Sequence, residues 1–167
     1  DNYNTISYDN SDNNLVENIN VTSGRRQGLY LSDSDNVTIR NSWLDNTGDC
    51  APWFCAVMRF ENSEYVKIIN NTIGPNNVRG IYYSGNSHNG IISNNTILGS
   101  LENGIDLYNA DNMIISNNCV NDTNGNGIYL NGEPNNCTVY DNHILLSNNY
   151  ALLITGTNHL IYSNILN

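Results

Sequence analysis

Apolar and polar residues alternate along the chain in a short phrase that recurs many times. Each copy has a small residue, then an apolar–variable–apolar triplet, a polar turn, a second apolar–variable–apolar stretch and an Asn-Asn-x-Ile ending. One clear copy joins Gly104-Ile105-Asp106-Leu107 to Asn117-Asn118-Cys119-Val120. Because alternation with a period of two is typical of half-buried strands, and no helical period is present, the pattern predicts short β-strands.

The phrase occurs seven times at nearly constant spacing. Its copies begin at Thr5, Gly28, Val57, Gly80, Gly104, Gly127 and Ala151. The copies are 23 or 24 residues apart, except for 29 residues between the second and third, where a loop around residues 48–56 is inserted. A repeat of this length with short strands predicts an all-β fold, a right-handed parallel β-helix of about seven coils. A leucine-rich repeat would need a Leu-x-x-Leu-x-Leu signature and a helical segment, and neither occurs.

Stacking the coils roughly 4.8 Å apart places equivalent residues in columns. Two interior columns of the first strand are uniformly apolar. The first contains Ile6, Leu29, Met58, Ile81, Ile105, Ile128 and Leu152, and the second contains Tyr8, Leu31, Phe60, Tyr83, Leu107, Leu130 and Ile154. A continuous core of this kind predicts a single domain over residues 1–167.

Asparagine, with 36 copies, also follows the repeat. One column contains Asn71, Asn95, Asn118, Asn142 and Asn164. An amide both donates and accepts hydrogen bonds, and Asn tolerates the left-handed backbone of tight turns. We therefore expect these residues to form a structural Asn ladder.

Composition narrows the classes of function. The net charge of −10 at pH 7 argues against nucleic-acid binding, since phosphates favour a basic surface. The chain contains no run of 18 apolar residues, so the sequence predicts no membrane span. The chain begins without Met and stops in mid-pattern, from which we expect a fragment of a larger protein. Uncapped β-helix ends are open edges, which predicts further coils, other domains or an end-to-end or side-by-side homo-oligomer.

The G-I-x-L … N-N-x-I repeat resembles that of the pectate-lyase-like β-helix superfold, in its NosD, carbohydrate-binding and sugar-hydrolase forms. The Asn-rich, Lys-poor composition also resembles methanogen surface proteins of the disaggregatase type, which act on a chondroitin-like matrix. This resemblance implies a β-helix with its site on the outward face of the first strand. No complete catalytic motif of a family maps onto the chain.

The outward column of the first strand contains the main candidate residues. It holds Ser7, Tyr30, Arg59, Tyr82, Asp106, Tyr129 and Leu153, and its neighbouring turns carry Arg25, Arg26, Arg79, Glu61 and Glu102. Four of the five arginines thus lie along one strip. Arginine binds carboxylates through a planar fork, and tyrosine offers a flat apolar face to sugar rings. The strip predicts a groove for an acidic, uronate-containing polysaccharide, although exposed Tyr and solvated Arg would give the same pattern.

Two reactions fit such a groove. Eliminative cleavage would use Arg59 and Arg79 to neutralise a uronate and Tyr82 to move a proton. Hydrolysis would use Glu61 and Asp106, which the repeat places two coils and roughly 9–10 Å apart, near the range of inverting glycosidases. Glu102 is close to Asp106 in sequence, but we expect the two on opposite sides of the corner before the strand.

The inserted loop carries Trp53 between Cys50 and Cys55. A disulfide would make it a rigid aromatic flap beside the groove, whereas two thiols would suit an intracellular protein. We expect Cys137 to fill the core and not to pair with Cys119. The histidines fall in different columns, so no zinc site is predicted. Calcium is left open as a cofactor: turns carry the potential ligands Asp33, Asp35, Asp111 and Asp122, but these form no complete ligand set.

The sequence thus leaves three functions open. The first is an extracellular or cell-surface enzyme, a polysaccharide lyase or glycoside hydrolase. The second is a binding or adhesion module that uses the same groove without turnover. The third is a structural rod at the cell surface.

Overall fold

The computed structural model describes residues 4–22, 27–45, 55–75 and 78–167. Within these ranges the chain forms strands, turns and bends, and no helix. The strands, numbered in chain order, form three sheets of seven strands each. The first sheet contains β1 (Asn4–Asp9), β4 (Gln27–Ser32), β7 (Ala56–Glu61), β10 (Arg79–Ser84), β13 (Ile105–Tyr108), β16 (Ile128–Asn131) and β19 (Leu152–Ile154).

The other two sheets are built from shorter strands. The second sheet contains β2 (Leu15–Glu17), β5 (Thr38–Arg40), β8 (Lys67–Ile69), β11 (Ile91–Ser93), β14 (Ile114–Ser116), β17 (Thr138–Tyr140) and β20 (Leu160–Tyr162). The third contains β3 (Asn20–Val21), β6 (Trp43–Leu44), β9 (Thr72–Ile73), β12 (Thr96–Leu98), β15 (Cys119–Thr123), β18 (His143–Ser147) and β21 (Ile165–Leu166).

Each strand from β1 to β18 pairs in parallel with the strand three positions later in the chain. Each set of three strands is one rung of a solenoid, which confirms the predicted parallel β-helix. The seven strands of the first sheet enclose six complete turns between β1 and β19, so the predicted seven coils correspond to seven rungs.

The strand register confirms the predicted core columns. Ile81 pairs with Met58 on one side and with Ile105 on the other, and Tyr83 pairs with Phe60 and Leu107. The side chains of these columns are fully buried from β4 to β16. Phe60 and Tyr83 stack inside the rod with ring centroids 4.6 Å apart. On the last rung Ile161 and Leu166 are exposed, because no later rung in the described chain covers them.

The Asn ladder is also confirmed. Asn118 accepts hydrogen bonds on Oδ1 from the backbone N–H and from Nδ2 of Asn95, both at 3.0 Å. Its own Nδ2 donates to the Ile92 carbonyl at 2.9 Å and to Asn142 Oδ1 at 2.9 Å. Each buried amide therefore satisfies backbone groups of a corner and the side chain of a neighbouring rung.

The left-handed backbone belongs to a different set of residues from the ladder. The residues with positive φ at this corner immediately precede the ladder residues: Asn70, Asn94, Asn117, Asp141 and Ser163. The sequence analysis assigned both properties to one column, whereas the structure divides them between two adjacent columns. The inner residue makes the hydrogen bonds, and the outer one makes the turn.

The glycine that begins three of the phrases, at Gly80, Gly104 and Gly127, is required by close packing between sheets. A Cβ atom on Gly104 would lie 2.7 Å from the Gly127 carbonyl oxygen and would also collide with Val120. The Gly104 N–H donates to the Asn126 carbonyl, and the Gly127 N–H donates to the Tyr150 carbonyl, both at 2.9 Å. These glycines let the first sheet approach the third closely at their rungs.

The cysteines are in two chemical states. Cys55 is disulfide-bonded, while Cys119 and Cys137 are free. The predicted partner Cys50 and the rest of the flap, including Trp53, lie outside the described residues. Burial raises the pKa of the Cys137 thiol to about 11, in agreement with its predicted role as a core residue. The described residues contain no helix long and apolar enough to cross a membrane.

Candidate functional site

The outward side of the first sheet, here called the first-sheet face, brings the predicted column together. Tyr30, Arg59, Tyr82, Asp106 and Tyr129 occupy the same register position on five consecutive strands, β4 to β16. Side chains at one register position on neighbouring strands point the same way, so these five residues form one continuous row. Arg25 and Arg26, also predicted for this strip, lie outside the described residues.

Arg59 organises the first of two clusters on this face. Its Nη2 contacts Glu61 Oε2 at 2.8 Å, and the Tyr30 hydroxyl donates to the same oxygen at 2.9 Å. The guanidinium carbon lies 5.4 Å from the centre of the Tyr30 ring, a cation–π distance. Burial raises the pKa of the Tyr30 hydroxyl. The Glu61 carboxylate is thus held by two donors while about a third of its side chain stays exposed.

Arg79 organises the second cluster. Its Nη2 contacts Glu102 Oε2 at 2.7 Å, and its Nε contacts Asp106 Oδ2 at 2.9 Å. The guanidinium carbon lies 5.0 Å from the centre of the Tyr82 ring. One arginine therefore joins two carboxylates and covers an aromatic ring.

Asp106 lies at the bottom of this cluster. Besides Arg79, it accepts hydrogen bonds from Asn103 Nδ2 at 2.9 Å and from Asn131 Nδ2 at 3.4 Å. Only 1% of the residue is exposed, whereas 31% of the Glu102 side chain is exposed. Asp106 is thus a buried carboxylate compensated by donors, and Glu102 is the carboxyl of this cluster that faces solvent.

The surroundings raise the pKa values of two groups in this cluster. Burial raises the pKa of Glu102, the negative charge of Asp106 acts in the same direction, and Arg79 opposes both. Burial also raises the pKa of Tyr82, again with help from Asp106. A carboxyl group that keeps its proton to a higher pH than usual is suited to act as a general acid.

The structure adds two features that the sequence analysis did not include. Glu102 lies in the bend before β13 and Asp106 lies on the strand, yet both carboxylates contact Arg79. Arg59 and Arg79 do not present bare cations to a ligand, because each binds carboxylates of the protein. Arg79 reaches across to the next rung to meet Glu102 and Asp106, whereas Arg59 pairs with Glu61 on its own strand. The positions of Cα atoms in a repeat reveal neither contact.

The remaining aromatic residues of the face differ in accessibility. Tyr82 is only 7% exposed, because the guanidinium of Arg79 covers its ring. Tyr30 and Tyr129 are half-buried, and Tyr108, which the sequence analysis did not select, is 43% exposed. Asn103 and Asn131 were also missed. Among 36 asparagines, nothing in the local sequence distinguishes the two that hold Asp106.

Three of the four candidate calcium residues accept hydrogen bonds from neighbouring residues of the protein. Asp35 Oδ1 accepts the backbone N–H of Glu64, and Asp111 Oδ1 accepts that of Asn135, both at 2.7 Å. Asp33 accepts the Ser32 hydroxyl at 2.8 Å. No group of three or more His, Cys, Asp or Glu side chains in the described ranges could hold a metal ion.

Comparison with solved structures finds other β-helix proteins. The periplasmic alginate epimerase AlgG matches with a TM-score of 0.64 and 16% identity, over 94% of this chain and 43% of the epimerase. The Dettilon tailspike protein matches with a TM-score of 0.59 and 22% identity, over 73% of this chain and 28% of the tailspike. At these identities the likeness concerns the fold.

A third structure has a similar size. A protein described as a glycosyl hydrolase, from Parabacteroides merdae, matches with a TM-score of 0.57 and 15% identity, over 85% of this chain and 81% of that one. No curated protein matches the chain. The chain spans less than half of the tailspike and of the epimerase.

A comparison with protein-family models gives one full-length match. The model described as periplasmic copper-binding protein (NosD) covers residues 1–167. This match agrees with the repeat, the three parallel sheets and the structural neighbours. The chain therefore belongs to the NosD family of parallel β-helix proteins.

Proposed function

We propose that this chain is a carbohydrate-active domain that binds a polysaccharide along the first-sheet face and cleaves it by hydrolysis. The observation that carries the proposal is the Arg79 cluster, where Glu102 has a raised pKa and is partly exposed beside a buried, charge-compensated Asp106. The three structural neighbours, a tailspike, an alginate epimerase and a glycosyl hydrolase, add support from proteins of the same fold.

Glu102 is the general acid of the proposed reaction. Hydrolysis of a glycosidic bond requires a protonated carboxyl to donate to the leaving oxygen and a second carboxylate to activate water. Burial favours the protonated form of Glu102, as the first role demands. Asp106 is a positioning residue, because it is buried and acts on Glu102 through its charge and through Arg79.

Glu61 is the proposed base. It is the second partly exposed carboxylate of the face, and Arg59 and Tyr30 fix its orientation. Glu61 ends β7, and Glu102 lies in the bend before β13, so the two carboxyl groups are offset by roughly 9–10 Å along the rod and further along the strand direction. This offset exceeds the about 5–5.5 Å of retaining glycosidases, so hydrolysis by this pair favours inversion at the anomeric carbon.

The occupied arginines favour hydrolysis over elimination. An eliminating enzyme must neutralise the carboxylate of a uronate, and Arg59 and Arg79 already bind Glu61, Glu102 and Asp106. In the described part of the face two cationic side chains accompany three carboxylates. This balance favours an uncharged glycan over the uronate polymer predicted from the sequence. The test therefore compares charged polymers with their uncharged, carboxyl-reduced forms.

The family description raises the possibility of copper binding. Copper sites in proteins use clusters of His, Cys or Met, commonly with three or more ligands. The described residues supply no group of three or more His, Cys, Asp or Glu that could hold a metal. A copper site is therefore not assigned to these residues, and we derive no step through a metal.

The domain is proposed to act outside the cytoplasm. Disulfides persist in oxidising compartments such as the periplasm and the extracellular space, and Cys55 is disulfide-bonded. The family description is itself that of a periplasmic protein. Both observations support the prediction of an extracellular or cell-surface location, where polysaccharides are found.

The test is an activity assay on matched polymers. The domain is incubated with polygalacturonate and alginate, with their carboxyl-reduced forms, and with glucomannan and xylan. Reducing ends are followed together with ultraviolet absorbance of unsaturated uronates. We expect reducing ends without absorbance, and inverted product detected by proton NMR. An increase in absorbance together with reducing ends would show that the domain cleaves by elimination and not by hydrolysis.

Three variants connect the activity to the site. Because general acid–base groups contribute about 10²–10⁴-fold, Glu102→Gln and Glu61→Gln should each lower kcat by roughly a hundredfold or more. Glu133→Gln, at an exposed position outside the face, should not lower kcat. Retention on a polysaccharide column without any turnover would leave a binding module and refute the catalytic part. Absence of both binding and turnover would refute the whole proposal.

A further inference from the structure

A second groove lies on another side of the rod, at the corner that enters the third sheet. It has a volume of about 510 Å³ and crosses the first three rungs. Its lining includes Asn18, Asn20, Asn41, Trp43, Asn70 and Thr72. None of these residues belongs to the first-sheet face, so the groove is separate from the proposed catalytic site.

Trp43 is the dominant surface of this groove. Half of the residue is exposed, at 49%, although tryptophan is among the most buried residue types on average. Its indole Nε1 donates to Asp45 Oδ2 at 3.0 Å, which fixes the orientation of the ring. Asn20 and Thr72 are its register partners on the two adjacent strands. The rod therefore presents a fixed aromatic ring between two polar side chains.

The amides around the ring are also held in place. Asn18, Asn41 and Asn70 occupy the left-handed corner position of three successive rungs. Asn70 Nδ2 donates to Asn41 Oδ1 at 2.7 Å, and Asn41 Nδ2 donates to Glu17 Oε1 at 3.2 Å. An amide has two donor hydrogens and an acceptor oxygen with two lone pairs, so Asn70 has capacity for further bonds.

We propose that the groove at Trp43 is a second, non-catalytic binding site for an uncharged glycan chain that runs along the rod. A sugar ring has one apolar face that packs on an indole, and a rim of hydroxyls that both donate and accept, as amides do. All eight lining residues are uncharged, and six of them are Asn, Ser or Thr. A protein partner would instead favour a cluster of several apolar side chains.

This inference goes beyond the proposed function and does not depend on it. The Trp43 groove would hold a polymer whether or not the first-sheet face cleaves it. If both are correct, the second site raises the local concentration of polymer at the catalytic face, because the two sites are on one rigid rod. The experiment below therefore measures binding alone, with variants confined to the groove and controls outside both faces.

The probes are four soluble uncharged polysaccharides: glucomannan, xyloglucan, galactomannan and dextran. Each is cast into native gels, and the retardation of the domain gives an affinity. At least one polymer should retard the wild-type chain, and Trp43→Ala should weaken that affinity roughly tenfold, since an aromatic contact of this kind contributes on the order of 1 kcal/mol or more. Asn20→Ala, an exposed strand position, should weaken it in the same direction.

Two controls define the site. Tyr150→Ala removes an aromatic side chain that is 60% exposed elsewhere on the rod, and Glu133→Gln removes an exposed charge outside both faces. Both should keep the affinity within about twofold of wild type, as expected for positions outside the groove. Titration with the retarding polymer should also shift the tryptophan fluorescence of the wild type to shorter wavelength, and Trp43→Phe should remove most of that shift.

Three outcomes would overturn the inference. In the first, no polymer retards the wild-type chain. In the second, Trp43→Ala and Asn20→Ala bind as tightly as Tyr150→Ala. In the third, sedimentation shows that Trp43 mediates association of two copies, so that the groove is occupied by protein. If circular dichroism shows that Trp43→Ala does not fold, the affinity of Asn20→Ala and the fluorescence of Trp43→Phe still test the inference.

Discussion

At the scale of single residues, the proposed acid Glu102 predicts a pH dependence. Burial raises its pKa above the ordinary value of 4.5, so its protonated, active form persists above that pH. A general acid must be protonated, and kcat/KM should therefore fall as pH rises through the raised pKa. The measurement is kcat/KM between pH 4 and pH 9 on the best polymer from the panel.

Arg79 supplies the control for this pH profile. Its positive charge lowers the pKa of Glu102, against the larger effect of burial. Arg79→Gln should therefore move the alkaline fall in kcat/KM to higher pH, even if the maximal rate also decreases. A profile whose alkaline side stays in place would show that a different group donates the proton.

The sequence predicted the row of this face but not its ion pairs. Tyr30, Arg59, Tyr82 and Asp106 were aligned by the repeat alone, because one residue per rung fixes the register. The link between Glu102 and Asp106 depends on the path of the corner before β13 and on the rotamer of Arg79. Neither follows from periodicity, since several rotamers of a long side chain are similar in energy until neighbours select one.

At the scale of elements, the Asn ladder should be a major source of stability. Asn118→Ala would leave the Asn95 N–H and the Ile92 carbonyl without their partners at a position that is 1% exposed. Each unsatisfied buried group costs about 1–3 kcal/mol, so the free energy of unfolding should fall by about 3 kcal/mol. Urea unfolding followed by circular dichroism measures this change.

Asn149→Ala is the matched control for the ladder. Asn149 is exposed and its φ is not positive, so its replacement should change the free energy of unfolding by less than about 0.5 kcal/mol. Similar decreases in the free energy of unfolding of the two variants would mean that a ladder asparagine contributes no more stability than an exposed one. The ladder was predictable from sequence because its spacing equals the rung spacing, whereas the adjacent left-handed column could be separated from it only by backbone angles.

At the scale of the whole molecule, stability should vary along the rod. Each rung contacts only its neighbours, so the molecule behaves as a linear array whose ends open first. Ile92 and Ile115 are fully buried on central rungs, while Leu160 and Ile165 on the last rung are more than half exposed. Amides of the central rungs should exchange with deuterium roughly a hundredfold more slowly than those of the last rung.

Hydrogen exchange followed by mass spectrometry or NMR checks this gradient. The amides of Ile91 and Leu160 are a useful pair, because both donate to backbone carbonyls at 2.9 Å. Any difference between them then reports the position of the rung and not the presence of a hydrogen bond. Equal exchange rates would indicate that the rod opens only as a single cooperative unit.

The hydrogen bonds that connect the glycine positions have a consequence for the chemical lifetime of the chain. Asparagine ages by deamidation, in which the next backbone nitrogen attacks the side-chain amide, and this is easiest when glycine follows. Asn103-Gly104 and Asn126-Gly127 are such pairs, yet both glycine nitrogens donate to carbonyls of the next rung, and Asn103 is itself held by Asn126 and Asp106. These bonds hold the attacking nitrogen in place, so folding should slow deamidation at these two pairs until the rod opens locally.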